Sequence, residues 1–180
     1  RGQVIGKTMP FGFAGSYSRQ PDMVVDSHPL AGDAAVAFGQ AVVYGTSGTV
    51  TPVGESTTAA DFVGVAAREV KTATNYLDQG AGAYNPGEVV SVFKRGRINV
   101  LCQNGSPAFG GDVYVRVKLN KSSYPNAVVG GFEAAADSSN SVKLTNAKWR
   151  GPADANGVAE LSILNMINVS VSYTHLTLPT

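Results

Sequence analysis

Apolar residues recur along this chain with a two-residue period or in short unbroken runs, and nowhere with the 3.6-residue period of an amphipathic helix. Residues 112–118 alternate most clearly. Val113, Val115 and Val117 share one face, while Asp112, Tyr114, Arg116 and Lys118 share the other. That predicts a strand with one side on the core and the other on solvent or a partner. In residues 62–69 both alternating sets are small or apolar, Phe62, Gly64 and Ala66 against Val63, Val65 and Ala67, which predicts a strand covered on both faces.

Further strands are predicted over residues 40–44 and 49–53 around the turn Thr46-Ser47-Gly48, and over 127–133, 141–149 and 158–166, the last entered through Asp154-Ala155-Asn156-Gly157. Residues 89–94 and 97–102 read as a hairpin turning at Arg95-Gly96, where glycine can take a positive φ without steric cost. Lys94-Arg95-Gly96-Arg97 then becomes a basic tip, either solvated or set against an acidic patch of a partner. Many short strands at near-regular spacing predict an all-β body, a barrel or a sandwich.

Before residue 34 the texture differs. Gly, Pro and Ser are interspersed with Phe11, Phe13 and Tyr17, with neither period sustained. This predicts an extended N-terminal arm over residues 1–33, too aromatic for a solvated linker and therefore resting on another surface, with a β-rich domain over 34–169 that folds without it. Residues 72–87 form a long excursion carrying Tyr76 and Tyr84, a second candidate contact surface.

Composition narrows the function. Hydrophobic residues are 43% of the 180 and charged residues 15%, well below the roughly 25% of a typical soluble domain, so the surface is unusually neutral or engaged with a partner. Lys+Arg 14 against Asp+Glu 13 gives a net charge of +1, with no basic run to neutralise a phosphate backbone, and nucleic-acid binding is not expected. No run approaches the ~18 apolar residues of a membrane span, and the start lacks a signal-peptide core, so a soluble protein outside membranes and the secretory route is expected. Without that route, the glycosylation-like patterns at Asn120 and Asn168 carry no mechanism.

Candidate chemistry is sparse. Cys102 is the single cysteine and reads as a buried, inert thiol, which excludes an intrachain disulfide. Asp22, Asp26 and His28 could in principle make a metal or acid–base site, but they fall in the arm, where nothing rigid fixes their geometry. The glycines of residues 80–84 precede no Lys-Ser/Thr and open no helix, so they cannot cradle phosphate. The sole tryptophan, Trp149, reads as a structural anchor. No enzyme, no metal and no cofactor are expected.

Several segments in order, among them Phe13-Ala14-Gly15-Ser16-Tyr17-Ser18-Arg19-Gln20-Pro21-Asp22, Asp61-Phe62-Val63-Gly64-Val65-Ala66-Ala67-Arg68-Glu69, Tyr84-Asn85-Pro86-Gly87-Glu88, Gly111-Asp112-Val113-Tyr114-Val115-Arg116-Val117 and Gly130-Gly131-Phe132-Glu133-Ala134, resemble the structural cement (decoration) proteins of tailed-phage capsids. The resemblance runs nearly over residues 10–168. It implies a β-barrel-like body with an extended N-terminal arm, made in the bacterial host's cytoplasm and carried on the capsid exterior. Its partner would be the major capsid protein, whose subunits it ties together, and it would act as a homo-oligomer, dimer or trimer. Residues 171–180 resemble a translated sequencing adaptor and read as a non-native tail.

On that reading the contact residues are expected to be Phe11, Phe13, Tyr17, Arg19, Pro21 and Asp22 of the arm, with Tyr76 and Tyr84 of the excursion. Two rival classes stay open. A carbohydrate- or receptor-binding β module would use Tyr76, Tyr84 and Tyr124 as stacking platforms, and a hydrolase would need a cleft around Asp22, Asp26 and His28.

Overall fold

The valine-rich runs fold as strands of a single curled sheet in the computed structural model, which describes residues 10–69 and 82–166. The strands are β1 (Tyr17–Pro29), β2 (Val36–Ala37), β3 (Ala41–Tyr44), β4 (Val50–Pro52), β5 (Phe62–Ala66), β6 (Ala83–Tyr84), β7 (Val89–Leu101), β8 (Asp112–Arg116), β9 (Phe132–Glu133), β10 (Ser141–Trp149) and β11 (Val158–Ile163). The large sheet runs β4-β3-β5-β7-β11-β10-β8-β9, with β1 also paired to β7. β2 and β6 form a separate two-stranded piece, and the paired neighbours of the large sheet are antiparallel. Tyr76 and residues 171–180 lie outside the described residues.

Curling brings the two ends of the sheet together. The Ala41 N–H at the start of β3 donates to the Gly130 carbonyl just before β9 (2.8 Å), and the Phe62 and Phe132 rings meet edge to face at 6.4 Å. The result is barrel-like, not a two-sheet sandwich. Inside the curl lie Phe93, Ile98, Val113, Leu144, Trp149 and Leu161. A second apolar cluster, with Val42, Val63, Val90 and Val92, covers the outer face of β3-β5-β7 beneath Leu30, Val36 and Tyr84.

β5 is therefore buried on both faces, as its composition predicts. A register shift against β3 between Val42 and Val43 redistributes the two sets: Phe62 and Val65 point inward, Val63 and Ala66 outward. The turn at residues 154–157 also forms as read, because the Asp154 carboxylate accepts the N–H groups of Asn156 (2.9 Å) and Val158 (3.0 Å). Residues 127–131 are a turn, and only Phe132–Glu133 of the predicted 127–133 strand joins the sheet.

The expected hairpin at Arg95-Gly96 does not exist. Val89–Leu101 is one strand of 13 residues, and Gly96 serves another purpose. At Phe93, β7 pairs with Val65 of β5 on one edge and Val25 of β1 on the other. At Ile98 it pairs with Leu161 of β11 and with Tyr17 of β1. Since β5 and β11 lie on opposite sides of β7, β1 changes edges between Arg19 and Val24, where its register is broken. It crosses over β7 at Gly96, whose φ is +116° and whose missing Cβ would stand 2.3 Å from the Asp22 carbonyl oxygen.

The segment before residue 34 is thus extended, but from Tyr17 to Pro29 it is a strand of the sheet. The sequence hides it because β1 is broken by a crossover and lies mostly on the surface, so no alternation develops.

The polar face of β8 also departs from expectation. Arg116 is fully buried. Its Nε donates to Glu133 (2.5 Å) and its Nη1 to Asp137 (2.9 Å), with the Tyr124 ring 5.0 Å away. The following chain folds over that side of β8 and encloses the charge with its counter-ions.

Candidate functional site

The outer surface of the curl around the β1 crossover gathers most of the residues singled out in the N-terminal segment. Ile98 and Val100 point into the core, so Arg97, Asn99 and Leu101 point outward. Trp149, Ala67, Ala159 and Leu161 are likewise inward, which turns Arg150, Arg68 and Glu160 to the same outer side.

Residues 10–16 are fastened onto this face. The buried Asn99 side chain donates to the Phe11 carbonyl (2.8 Å), and the Phe11 N–H donates to Asp154 (2.9 Å). Gly15 N–H donates to the Asn99 carbonyl (2.7 Å) and the Asn99 N–H to the Ser16 carbonyl (2.9 Å). A turn follows in which both the N–H (3.1 Å) and the hydroxyl (2.7 Å) of Ser16 donate to the Phe13 carbonyl. Gly15 and Gly39 approach so closely that a Cβ on Gly15 would stand 2.8 Å from the Gly39 nitrogen. The anchored backbone leaves Phe11 39% and Phe13 67% exposed.

The remaining expected contacts differ in character. Tyr17 is half-buried, its ring 5.7 Å from that of Phe93 and its hydroxyl donating to the Glu69 carboxylate. Burial and that carboxylate hold its pKa far above the ordinary tyrosine value. Arg19 reaches Glu160 (3.1 Å), which Arg97 also faces (3.8 Å). Pro21 and Asp22 form the crossing segment and, with Arg19, Arg97 and Leu164, line an open cleft of about 340 Å³. Tyr84, expected on a contact surface, is instead in the outer apolar cluster: it is 1% exposed, its hydroxyl donating to the Ala67 carbonyl (2.8 Å). An aromatic that size between β6 and β5 supplies the apolar bulk that the small two-stranded piece lacks.

Asp22, Asp26 and His28 do not converge. Asp22 pairs with Arg95 (3.2 Å) and Asp26 with Lys94 (2.8 Å), and the Lys94 hydrogen bond lowers the Asp26 carboxyl below its usual range. The His28 Nδ1 lies 2.9 Å from the Gly48 carbonyl oxygen. The expected basic tip is accordingly a row of ion pairs that ties β7 to β1 and β11. Among the described residues no three His, Cys, Asp or Glu side chains are grouped to hold a metal ion. Cys102 is half-buried, and burial pushes its thiol pKa up.

Sequence reasoning missed Arg68, Arg150 and Phe109. Phe109, 73% exposed, lies under the Arg150 guanidinium at 4.7 Å, and Phe13 lies under Arg68 at 4.6 Å. Nothing in the local pattern signals either pairing, because the partners are distant in sequence.

The curled sheet thus carries a fastened outer face with exposed aromatic rings, and four of the six described arginines are held in ion pairs. The chain belongs to the phage structural cement family: residues 2–164 match the model described as "Structural cement protein (E217 gp24/Pam3 gp6)". It is therefore a structural protein of the phage virion that associates with capsid proteins and stabilises the capsid. No curated protein sequence matches the chain. Among solved structures it is similar to a chain of "The capsid of Myoviridae Phage XM1", with 14% identity and a TM-score of 0.66 over 91% of this chain and 97% of that one. At that identity the likeness establishes a shared fold.

Proposed function

We propose that this protein sits on the outer surface of the assembled shell and bridges neighbouring major capsid protein subunits, doing no covalent chemistry. A ligand that binds the lattice and not the dissociated subunits stabilises the lattice by mass action. Contact residues on this reading are Phe11, Phe13, Tyr17, Arg19, Pro21 and Asp22, and a dimer or trimer of the chain would multiply the contacts made per particle.

The observation that carries the reading is the seating of residues 10–16. Two exposed phenylalanines are held by backbone and side-chain hydrogen bonds to Asn99 and Asp154, so little ordering entropy is lost when they dock. The leader acts here as a rigid anchor and not as a pliable strap. A sugar-stacking role has less support, since Tyr84 is in the core and Tyr124 packs against Arg116.

Deleting residues 1–30 would remove β1 and with it the pairing along β7, so point substitutions are the cleaner test. A Phe11→Ser/Phe13→Ser variant with unchanged circular dichroism should fail to co-sediment with cement-free shells that retain the wild-type protein. Equal retention of both would refute the proposal.

A further inference from the structure

Arg68 and Arg150 occupy matched settings. Each guanidinium lies over the ring of an exposed phenylalanine, Arg68 4.6 Å from the centroid of Phe13 and Arg150 4.7 Å from that of Phe109. Those two rings, 67% and 73% exposed, are the most exposed large apolar side chains among the described residues. Arg68 also has Phe38 at 5.6 Å on another side.

Both positions are joined by one row of the sheet. Arg150 N–H donates to the Glu160 carbonyl, Glu160 pairs with Asn99, Asn99 exchanges hydrogen bonds with Gly15 and Ser16, and Arg68 N–H donates to the Gly15 carbonyl. Four inter-strand steps at ~4.8 Å put the two backbones about 19 Å apart along the curved surface. Both side chains leave on the outer side, because Ala67 and Trp149, the residues before them, point into the core.

Resting on the proposed capsid-binding role, we infer that these two arginine-capped phenylalanines form a two-point anchor for a partner surface presenting carboxylates beside apolar side chains. The charge pattern selects that occupant. The other four arginines among the described residues are already paired: Arg19 and Arg97 with Glu160, Arg95 with Asp22, and Arg116 with Glu133 and Asp137. Arg68 and Arg150 have no carboxylate partner among the described residues. A guanidinium held over a ring is attracted by the ring's π face and still has N–H groups with which to bind a carboxylate bidentately. The phenylalanine edges beside them supply apolar contact that excludes water from that pair.

Seven of the carboxylates that a second copy of this chain would carry, at Asp22, Asp26, Glu55, Asp112, Glu133, Asp137 and Glu160, are already held in internal ion pairs. An acidic, partly apolar strip on the capsid lattice meets both requirements at once.

The test is equilibrium binding of the full chain to cement-free shells of its phage, comparing wild type with Arg68→Gln, Arg150→Gln, the double variant and Lys121→Gln as a control cation elsewhere. Each arginine variant should weaken binding about tenfold and the double variant about a hundredfold, the size expected for lost charge-assisted hydrogen bonds at separate sites. The salt dependence of binding should flatten in the double variant, and Lys121→Gln should bind like wild type. If the wild-type protein binds shells and the double variant binds equally well, this anchor is wrong while the capsid-binding role survives. If the wild type itself does not bind, both are overturned. A self-associated form that the double variant loses, with shell binding intact, would assign the patch to a second copy and overturn it too.

Discussion

The backbone of Asp22 passes directly over Gly96, so close that a β-carbon on Gly96 would stand 2.3 Å from the Asp22 carbonyl oxygen. This contact lets β1 leave the edge of β7 shared with β5 and continue on the edge shared with β11. The same strand therefore locks both halves of the 13-residue β7 and delivers residues 10–16 to the outer face.

Gly96→Ala should destabilise the protein by about 2–4 kcal/mol, combining a side chain at positive φ with a clash against backbone that cannot turn aside. Urea unfolding checks the magnitude. A change under 0.5 kcal/mol, the scale of an ordinary surface substitution, would show that the crossing strand is not held there.

Arg116 and Glu133 form a buried ion pair at 2.5 Å, both side chains at 0% exposure. Glu133→Leu leaves Arg116 with Asp137 as its carboxylate partner (2.9 Å) but its buried Nε without an acceptor, so this change alone should cost about 1–3 kcal/mol. Replacing both, as Arg116→Met/Glu133→Leu, should recover much of that loss, although Asp137 then keeps only the side-chain amides of Asn120 and Asn140 as donors. A double-mutant cycle by denaturant unfolding measures the coupling.

Stability should fall in alkali through Tyr17. Burial and the adjacent Glu69 raise its folded-state pKa above the ordinary value of 10.0, so the folded protein favours the protonated phenol. That stabilisation is fully present below pH 10 and is lost as pH climbs from there toward the folded-state pKa. Tyr17→Phe should flatten the decline measured between pH 9 and pH 11, leaving the smaller part owed to Tyr84, whose pKa burial also raises.

Much of the architecture was legible because it depends on alternation and turn chemistry, which are local. β8, β10 and β11, the two-faced burial of β5 and the Asp154 turn all follow from residues within a few positions of one another. What the pattern could not carry is what depends on distant partners. Gly96 looks like a hairpin turn because glycine at positive φ is the same local signal whether the chain reverses or another strand passes overhead. Arg116 looks solvated because its counter-ions lie 17 and 21 residues away.

The outer face shows the same division. Phe11 and Phe13 stand out in sequence as aromatics in a segment with no periodicity, and the structure leaves both exposed. Tyr84 carried the same signal yet is enclosed by Val36, Val63 and Val90 of the outer cluster. Arg68 and Arg150 were invisible, since each gains meaning only from a phenylalanine some 40–55 residues away in sequence.

The central claim, that this protein holds capsid subunits together from outside, is tested most directly by the temperature at which cement-free shells come apart as purified protein is added. The disruption temperature should climb with occupancy and level off once the lattice sites are filled, while unassembled capsid protein shows no such shift. Saturable binding that leaves the disruption temperature of the shell unchanged would contradict bridging and reduce the protein to a passive passenger.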